Sequence, residues 1–166
     1  MAERSDSGPA ELSRTGRFAH FGSTRLTAIS KWQGRLHSRL YARFGGTRFG
    51  KWLGRPVFQL TVPGRKTGLP RSVVLMYIPD GDDLLVSGSF GGHPKPPNWW
   101  GNLVAAGGGQ AQVGHETWPV TARVVTDDDE YAARWRVLVA HYPDLATYQA
   151  LSSRRLPIAV LSRAAE

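Results

Sequence analysis

The chain has 166 residues, 41% apolar and 20% charged, which is enough for one globular domain with a real core and too little for two. It contains no cysteine, which excludes a disulfide framework, a Cys-ligated zinc or iron–sulfur centre and a thiol nucleophile. The formal charge of +8 is unevenly spread: thirteen Lys or Arg and no carboxylate occupy positions 12 to 79, so the remainder is net acidic and the basic half calls for an anionic partner (nucleic acid, lipid headgroups or a phosphorylated ligand).

Residues 1–22 are polar, rich in Ser, Gly and Arg, and read as a flexible segment without the apolar stretch of a signal peptide. A helical pattern opens at Ser23 or Thr24, and the segment 23–50 is expected to hold a basic amphipathic helix. Its apolar stripe is Leu26, Ile29, Trp32, Leu36, Leu40 and Phe44, closed by Gly45 and Gly46. Lys31, Arg35, Arg39 and Arg43 recur at i, i+4 beside it, where like charges repel and add nothing to helix stability. Two readings stay open: a helix packed on the domain with a solvated basic face, or one docked by residues 23–44 on an anionic membrane surface. No apolar run approaches the roughly 18 residues needed to span a bilayer.

Past residue 55 the period changes to that of strands. Val57–Val62 reads as a strand, Gly64–Gly68 as a turn and Arg71–Ile78 as a second strand. A Pro79–Asp82 turn leads into a third strand at Leu84–Gly88. Residues 89–98 hold two Gly and three Pro, a composition that forbids regular structure. Asn98 is placed to cap a short helix through Trp99 and Leu103, ended by Gly107–Gly109. Strands near Gln110–Val113 and Thr117–Val125 follow, then a helix capped by Thr126 or Asp127 and running to about Tyr142. After Pro143 come a short helical segment and a closing strand at Pro157–Leu161. Strands without regular βαβ alternation predict an α+β fold, mainly β: a small antiparallel barrel or roll at 51–166 with flanking helices.

The Gly64–Gly68 turn, GRKTG, sets two cations and a hydroxyl between glycines, a composition suited to phosphate oxygens or to a solvated hairpin tip. It lacks the spacing of a Walker A loop. A second candidate is the Gly/Pro-rich loop from Ser89, carrying Lys95 and entering a helix at Asn98–Trp99–Trp100. A third is the stretch from His141 to Tyr148, whose phenols at Tyr142 and Tyr148 can donate hydrogen bonds or protons into a pocket. The five histidines show no metal-ligand spacing, and no nucleophile elbow is present. Hard chemistry, if the chain performs any, then falls to a bound cofactor.

The ordered set Gly64-Arg65-Lys66-Thr67-Gly68, Pro70-Arg71, Ser89, Gly91-Gly92, Lys95, Pro97, Trp99, Asn102-Leu103, Thr121-Ala122-Arg123, Tyr142-Pro143, Tyr148 and Pro157-Ile158 resembles the deazaflavin-dependent nitroreductase family over about residues 57–163. The resemblance implies a split β-barrel of the flavin-reductase type and coenzyme F420, used as a hydride donor toward quinones, enones and nitroaromatic compounds. It implies that Arg65, Lys66 and Thr67 meet the coenzyme's phosphate and acidic tail. Val74, Met76, Ser87 and Ser89 would border its ring, with Lys95, Trp99 and Asn102 at the pocket mouth. Trp99, Tyr142, Leu145 and Tyr148 would line the substrate side, and the proton would come from Tyr148, Tyr142, Ser89 or water. Phe90, Met76 and Leu145 stand where a relative carries lysine, tyrosine and a third pocket tyrosine. The last change removes a polar group from the substrate side.

The function expected is therefore hydride transfer from reduced F420 to a hydrophobic, electron-poor acceptor, with no metal. The alternatives are a barrel holding FMN or a tetrapyrrole, and a non-enzymatic membrane- or nucleic-acid-binding protein. Nucleic acid is not expected as a partner, because the basic residues divide between one helix and one turn and form no readout motif. The expected location is cytoplasmic, with residues 23–44 able to dock on the inner face of the plasma membrane.

Overall fold

A computed structural model describes residues 51–52 and 55–165. The expected flexible segment 1–22 and the amphipathic helix within 23–50 lie outside the described residues. In chain order the elements are β1 (Lys51–Trp52), β2 (Arg55–Pro63), β3 (Pro70–Met76), β4 (Ile78–Asp80), β5 (Asp83–Ser87), α1 (Asn98–Ala106), β6 (Gly108–Val113), β7 (Glu116–Val124), α2 (Asp128–His141), α3 (Asp144–Leu151) and β8 (Ile158–Arg163). Among the described residues no helix is long and apolar enough to cross a membrane.

The strands form one antiparallel sheet in the order β1-β2-β6-β7-β8-β5-β4, with β3 on the other edge of β2. β3, which pairs only with β2, and β4, at the far end of this order, are consecutive in the chain. The second strand expected at Arg71–Ile78 is thus two strands: β3 stops at Met76, and β4 starts at Ile78. Tyr77 is the bend between them. Its N–H donates to Pro56 O at 3.5 Å, and its ring meets Phe58 edge-on at 5.5 Å. The chain crosses there from the edge of β2 to the edge of β5, and the sheet curls into a split barrel.

Side-chain alternation sorts the strands onto two cores. Phe58, Leu60, Val62, Leu84, Val86, Ala111, Val120, Ala159 and Leu161 fill the barrel, with Trp100 and Leu103 of α1 closing it. Leu85, Ile158 and Val160, on the opposite face of β5 and β8, pack under α2 and α3 with Tyr131, Leu138, Leu145, Tyr148 and Leu156. β8 is buried on both faces, which is why its sequence reads as a continuous apolar run.

The helix ends depart from expectation at one point. Asn98 does not cap α1: Pro97 holds the cap position in extended geometry, Asn98 is the first helical residue, and Trp100 N–H donates to Pro97 O at 3.1 Å. At the other end Gly107, with φ +67°, closes the helix as the glycines suggested. Gly108 and Gly109 instead begin β6, where a Cβ would run into Val120 O and Thr61 O of the neighbouring strands. For α2, Asp127 is the cap of the two candidates, its carboxylate accepting from Glu130 N–H at 2.8 Å.

Phe58 is fully buried at the centre of the barrel core. Phe58→Ala is expected to lower the unfolding free energy by about 3–5 kcal/mol, measured by urea denaturation followed by tryptophan fluorescence.

Candidate active site

The β2–β3 turn is built by backbone bonds that leave its side chains outward. Gly64 N–H donates to Leu69 O at 2.9 Å, Thr67 and Gly68 N–H donate back to Gly64 O, and Gly68 takes φ +66°. Arg65, Lys66 and Arg71 are exposed, and none of them pairs with a carboxylate among the described residues. Arg65 is docked on α1. Its N–H and Nη1 both donate to Asn102 Oδ1, at 3.2 and 3.3 Å, and Nη1 also donates to Asn98 O at 3.2 Å. This is possible because residue 101 is glycine, where a Cβ would stand 2.5 Å from Nη1. Arg65 and Asn102, two separate candidates in sequence, therefore form one unit. Thr67 Oγ1 accepts a long bond from Arg71 Nη2 at 3.5 Å.

The ring-bordering candidates flank the place where the sheet opens. Phe58 and Leu60 face the barrel interior, so Val57 and Gln59 face outward, together with their β3 partners Met76 and Val74. Ser87 shares the outward face with Leu85. Continuing the β4–β5 register past Ile78↔Leu85 would set Met76 beside Ser87 and Val74 beside Ser89. No such pairing exists among the described residues, where β3 pairs only with β2. β3 thus has one edge without a strand partner among the described residues; Val74 and Met76 belong to this lip, and Ser87 and Ser89 lie at and just past the end of β5, the strand end that would face it.

Two buried polar atoms on this outward face, Ser87 Oγ and Gln59 Oε1, have no hydrogen-bond partner. An unmet buried polar atom costs roughly 1–3 kcal/mol, so it marks a place where a polar ligand atom is favourable. Gln59 was not among the sequence candidates, although a lone amide inside the strand Val57–Val62 is a visible signal.

The tyrosine candidates are joined. Tyr142 and Tyr148 hydroxyls lie 3.0 Å apart with their rings edge-on, and the Arg55 guanidinium covers the Tyr142 ring at 4.4 Å. Burial, followed by the Tyr142 hydroxyl and the Asp144 charge, pushes the Tyr148 phenol far above its ordinary value. Burial also raises Tyr142, opposed by its bond to Tyr148 and by Arg55. Arg55 carried no sequence signal, since nothing local links it to a tyrosine 87 positions away.

The remaining candidates are spread out. Trp99 is half-buried, meets Trp100 edge-on at 5.6 Å and packs on the barrel core, while Leu145 and Tyr148 lie in the outer core. Leu145 is 2% exposed, so it is a wall behind the tyrosines rather than an open surface. Lys95 is exposed, its N–H donating to His93 Nδ1 at 3.0 Å. Ser89 lies two residues past the end of β5 with helical backbone angles, and its hydroxyl caps nothing in the 3-10 turn Phe90–Gly92 that follows. That turn is a short piece of regular structure inside the loop expected to have none.

Fold and site together define a split-barrel reductase of the flavin-reductase type, with an anion-complementary turn beside an apolar cleft. The family of F420H(2)-dependent quinone reductases matches residues 32–163, and the chain belongs to it. It is similar to an F420H(2)-dependent quinone reductase of Mycobacterium tuberculosis, 36% identical over 133 residues that cover 78% of this chain and 89% of the relative. Among solved structures, it is similar to an F420-H2-dependent reductase (FDR-A), with TM-score 0.59 and 31% identity over 65% of this chain and 95% of that one. It is also similar to a chain solved as a domain-swapped dimer, with TM-score 0.61 and 29% identity over 81% of this chain and all of that one.

The phenol shifts give a pH dependence. A tyrosine that stays protonated in the folded state to higher pH than in the unfolded chain stabilises the fold below the unfolded value, near pH 10. That contribution is lost as pH rises above it. Urea midpoints of the wild type are expected to hold below about pH 9 and to fall between roughly pH 10 and 11, and Tyr142→Phe/Tyr148→Phe to fall less steeply over the same range.

Proposed function

We propose that the chain reduces quinones with reduced coenzyme F420, bound with its acidic tail on the β2–β3 turn and its ring in the split. What supports this reading is a carboxylate-free basic turn joining β2 to β3, apolar Val74 and Met76 further along β3, and a buried Ser87 hydroxyl without a partner. The residues suit the group. Lys66 and Arg71 complement a phosphodiester and glutamates, and Arg65 holds the turn against α1. Val74 and Met76 give a flat ring an apolar wall, while Ser87 Oγ and Gln59 Oε1 await a polar ring edge.

Reduced F420 supplies two electrons as a hydride. The chain's task is to hold acceptor and ring together, exclude water and deliver the proton that completes the reduced acceptor. For the proton we infer that Tyr148 donates its hydrogen to Tyr142 Oη, which turns the Tyr142 hydrogen toward the cleft. The bond from Tyr148 and the guanidinium of Arg55 then stabilise the Tyr142 phenolate formed. Ser89, on the opposite lip, is the second donor of this reading. Leu145, packed in the outer core with Tyr148, offers no polar group beside the tyrosines, which is consistent with a hydrophobic quinone, enone or compact nitroaromatic as acceptor.

Fluorescence titration with F420 and turnover with menadione test this. Lys66→Ala is expected to weaken coenzyme binding about tenfold and to flatten its salt dependence, and Tyr142→Phe to lower kcat with coenzyme affinity unchanged. No binding by the wild type, or a protein purified yellow with flavin, overturns the reading.

The i, i+4 spacing of Lys31, Arg35, Arg39 and Arg43 in the sequence supports peripheral docking on anionic lipid, which would bring the cleft near lipid-soluble quinones. Full-length protein is expected to sediment with vesicles rich in anionic lipid and not with neutral ones. Replacing those four residues by Glu is expected to abolish the difference, and equal partitioning of both proteins refutes it.

A further inference from the structure

We propose that Arg154 is a positioning residue that sets one lip of the cleft. This rests on the coenzyme reading above only for its consequence, since the clamp itself is a feature of the chain. Arg154 lies in the connection between α3 and β8, and its guanidinium gathers three backbone carbonyls of the loop after β5. Nε donates to His93 O at 3.0 Å, and Nη2 donates to Gly88 O at 2.9 Å and Ser89 O at 3.0 Å. These acceptors bracket the one non-glycine residue with positive φ among the described residues. Phe90 takes φ 48° though it carries a Cβ, and Gly91 and Gly92 follow at 62° and 81°. Left-handed Phe is a strained choice and persists only where the surroundings over-determine it.

The surroundings do so from both sides. Gly92 is pressed on α3, where a Cβ would stand 2.7 Å from Tyr148 O. Gly88 is pressed on Trp100 and Pro157, with a Cβ 2.8 Å from the indole. Arg154 is itself held in place: its N–H donates to Ser152 Oγ at 3.3 Å, and its carbonyl accepts from Gln149 Nε2 at 2.9 Å. The remaining nitrogen, Nη1, is buried without a partner, and no carboxylate pairs with Arg154 among the described residues. Burial accordingly lowers its pKa. The charge is balanced by carbonyl dipoles that belong to the loop, so loop and guanidinium hold each other. Ser89 and Phe90, between the bonded carbonyls, are held through this contact, just past Ser87, which the β5–β8 ladder holds.

The test compares wild type, Arg154→Met and Arg154→Lys, the last keeping the charge but not the planar fork. Amide hydrogen exchange on the coenzyme-free proteins is expected to run at least about tenfold faster over residues 88–93 in Arg154→Met, with β2, β5 and β8 still protected. Affinity for F420 and for the deazaflavin riboside lacking the phosphate and glutamate tail is expected to fall by the same factor, about tenfold, and kcat with menadione by about ten- to a hundredfold. Arg154→Lys is expected to fall between the two, and supplies the same comparison if Arg154→Met does not fold. By contrast, Lys66→Ala is expected to weaken F420 binding alone and to leave the riboside unaffected.

Unchanged exchange over 88–93 in a folded variant overturns the proposal, as does acceleration spread evenly over the barrel, which would mark Arg154 as a general stabiliser. Loss of affinity for the tailed coenzyme only would also overturn it. A wild type that binds neither ligand removes the coenzyme reading instead, and the exchange comparison then still decides the clamp.

Discussion

Between Met76 and Ile78 the chain has one residue in which to leave the edge of β2 and reach the edge of β5. Tyr77 makes that crossing with its ring turned inward against Phe58, so the bend is anchored in the barrel core. A strand that turns this sharply cannot stay paired on both sides. β3 follows β2 and abandons β5, and the ladder opens along Val74 and Met76. An unpaired strand edge ordinarily invites another strand. Here it faces a loop of Gly and Pro in which no strand can form. The cleft is thus a consequence of closing a small barrel with a single-residue crossing.

The opposite lip depends on the other core. β8 buries Ala159 and Leu161 in the barrel and Ile158 and Val160 under the helices, so it transmits the position of α2 and α3 to the sheet. The connection leading into it is held by buried polar contacts. Tyr131 Oη donates to Leu156 O at 2.9 Å, and Leu156 N–H donates to Gln149 Oε1 at 2.8 Å. Each is a satisfied group whose loss would leave a buried partner unmet, which makes such networks stiff. Arg154 projects from this stiff connection onto the loop after β5. The two lips therefore have separate anchors, one in the barrel core and one in the helical layer, and the tyrosine pair belongs to the second.

What was legible in the sequence follows from how local each signal is. Strand periodicity at Val57–Val62, the glycine-flanked turn and the Asp127 cap are decided within a few residues, and all were readable. The Tyr77 break was not, because Val73 to Ile78 is uniformly strand-like and only the closure of the sheet tells β3 from β4. Pro97 displaced Asn98 as cap because its fixed φ suits the position, a competition that the side-chain preference for Asn conceals. Among candidate site residues, the Arg65–Asn102 unit and the Tyr142–Tyr148 pair were present as separate names, their meeting being a property of the fold. Arg154 left no trace: an arginine in a Ser-Ser-Arg-Arg stretch reads as solvated surface, and its acceptors lie some sixty positions away.

The positive charge that dominates the first half of the chain is used in different ways, and geometry decides which. Lys66 and Arg71 stand in water, where their field is screened over about 10 Å but reaches an approaching polyanion. Arg65 has the same charge and the same turn, yet its guanidinium is committed to a helix carbonyl and an amide over a glycine, so it orients the turn as well as charging it. Arg154, in the acidic half, is half-buried, with its Nη1 out of reach of solvent and no carboxylate partner among the described residues. A lysine would substitute there only in part. Carbonyls on Gly88, Ser89 and His93 lie around one planar fork, and a guanidinium meets all three while staying ionised, whereas a buried ammonium would surrender its proton more readily. The residue that matters most to the cleft is therefore a cation whose role is to bind the chain's own backbone.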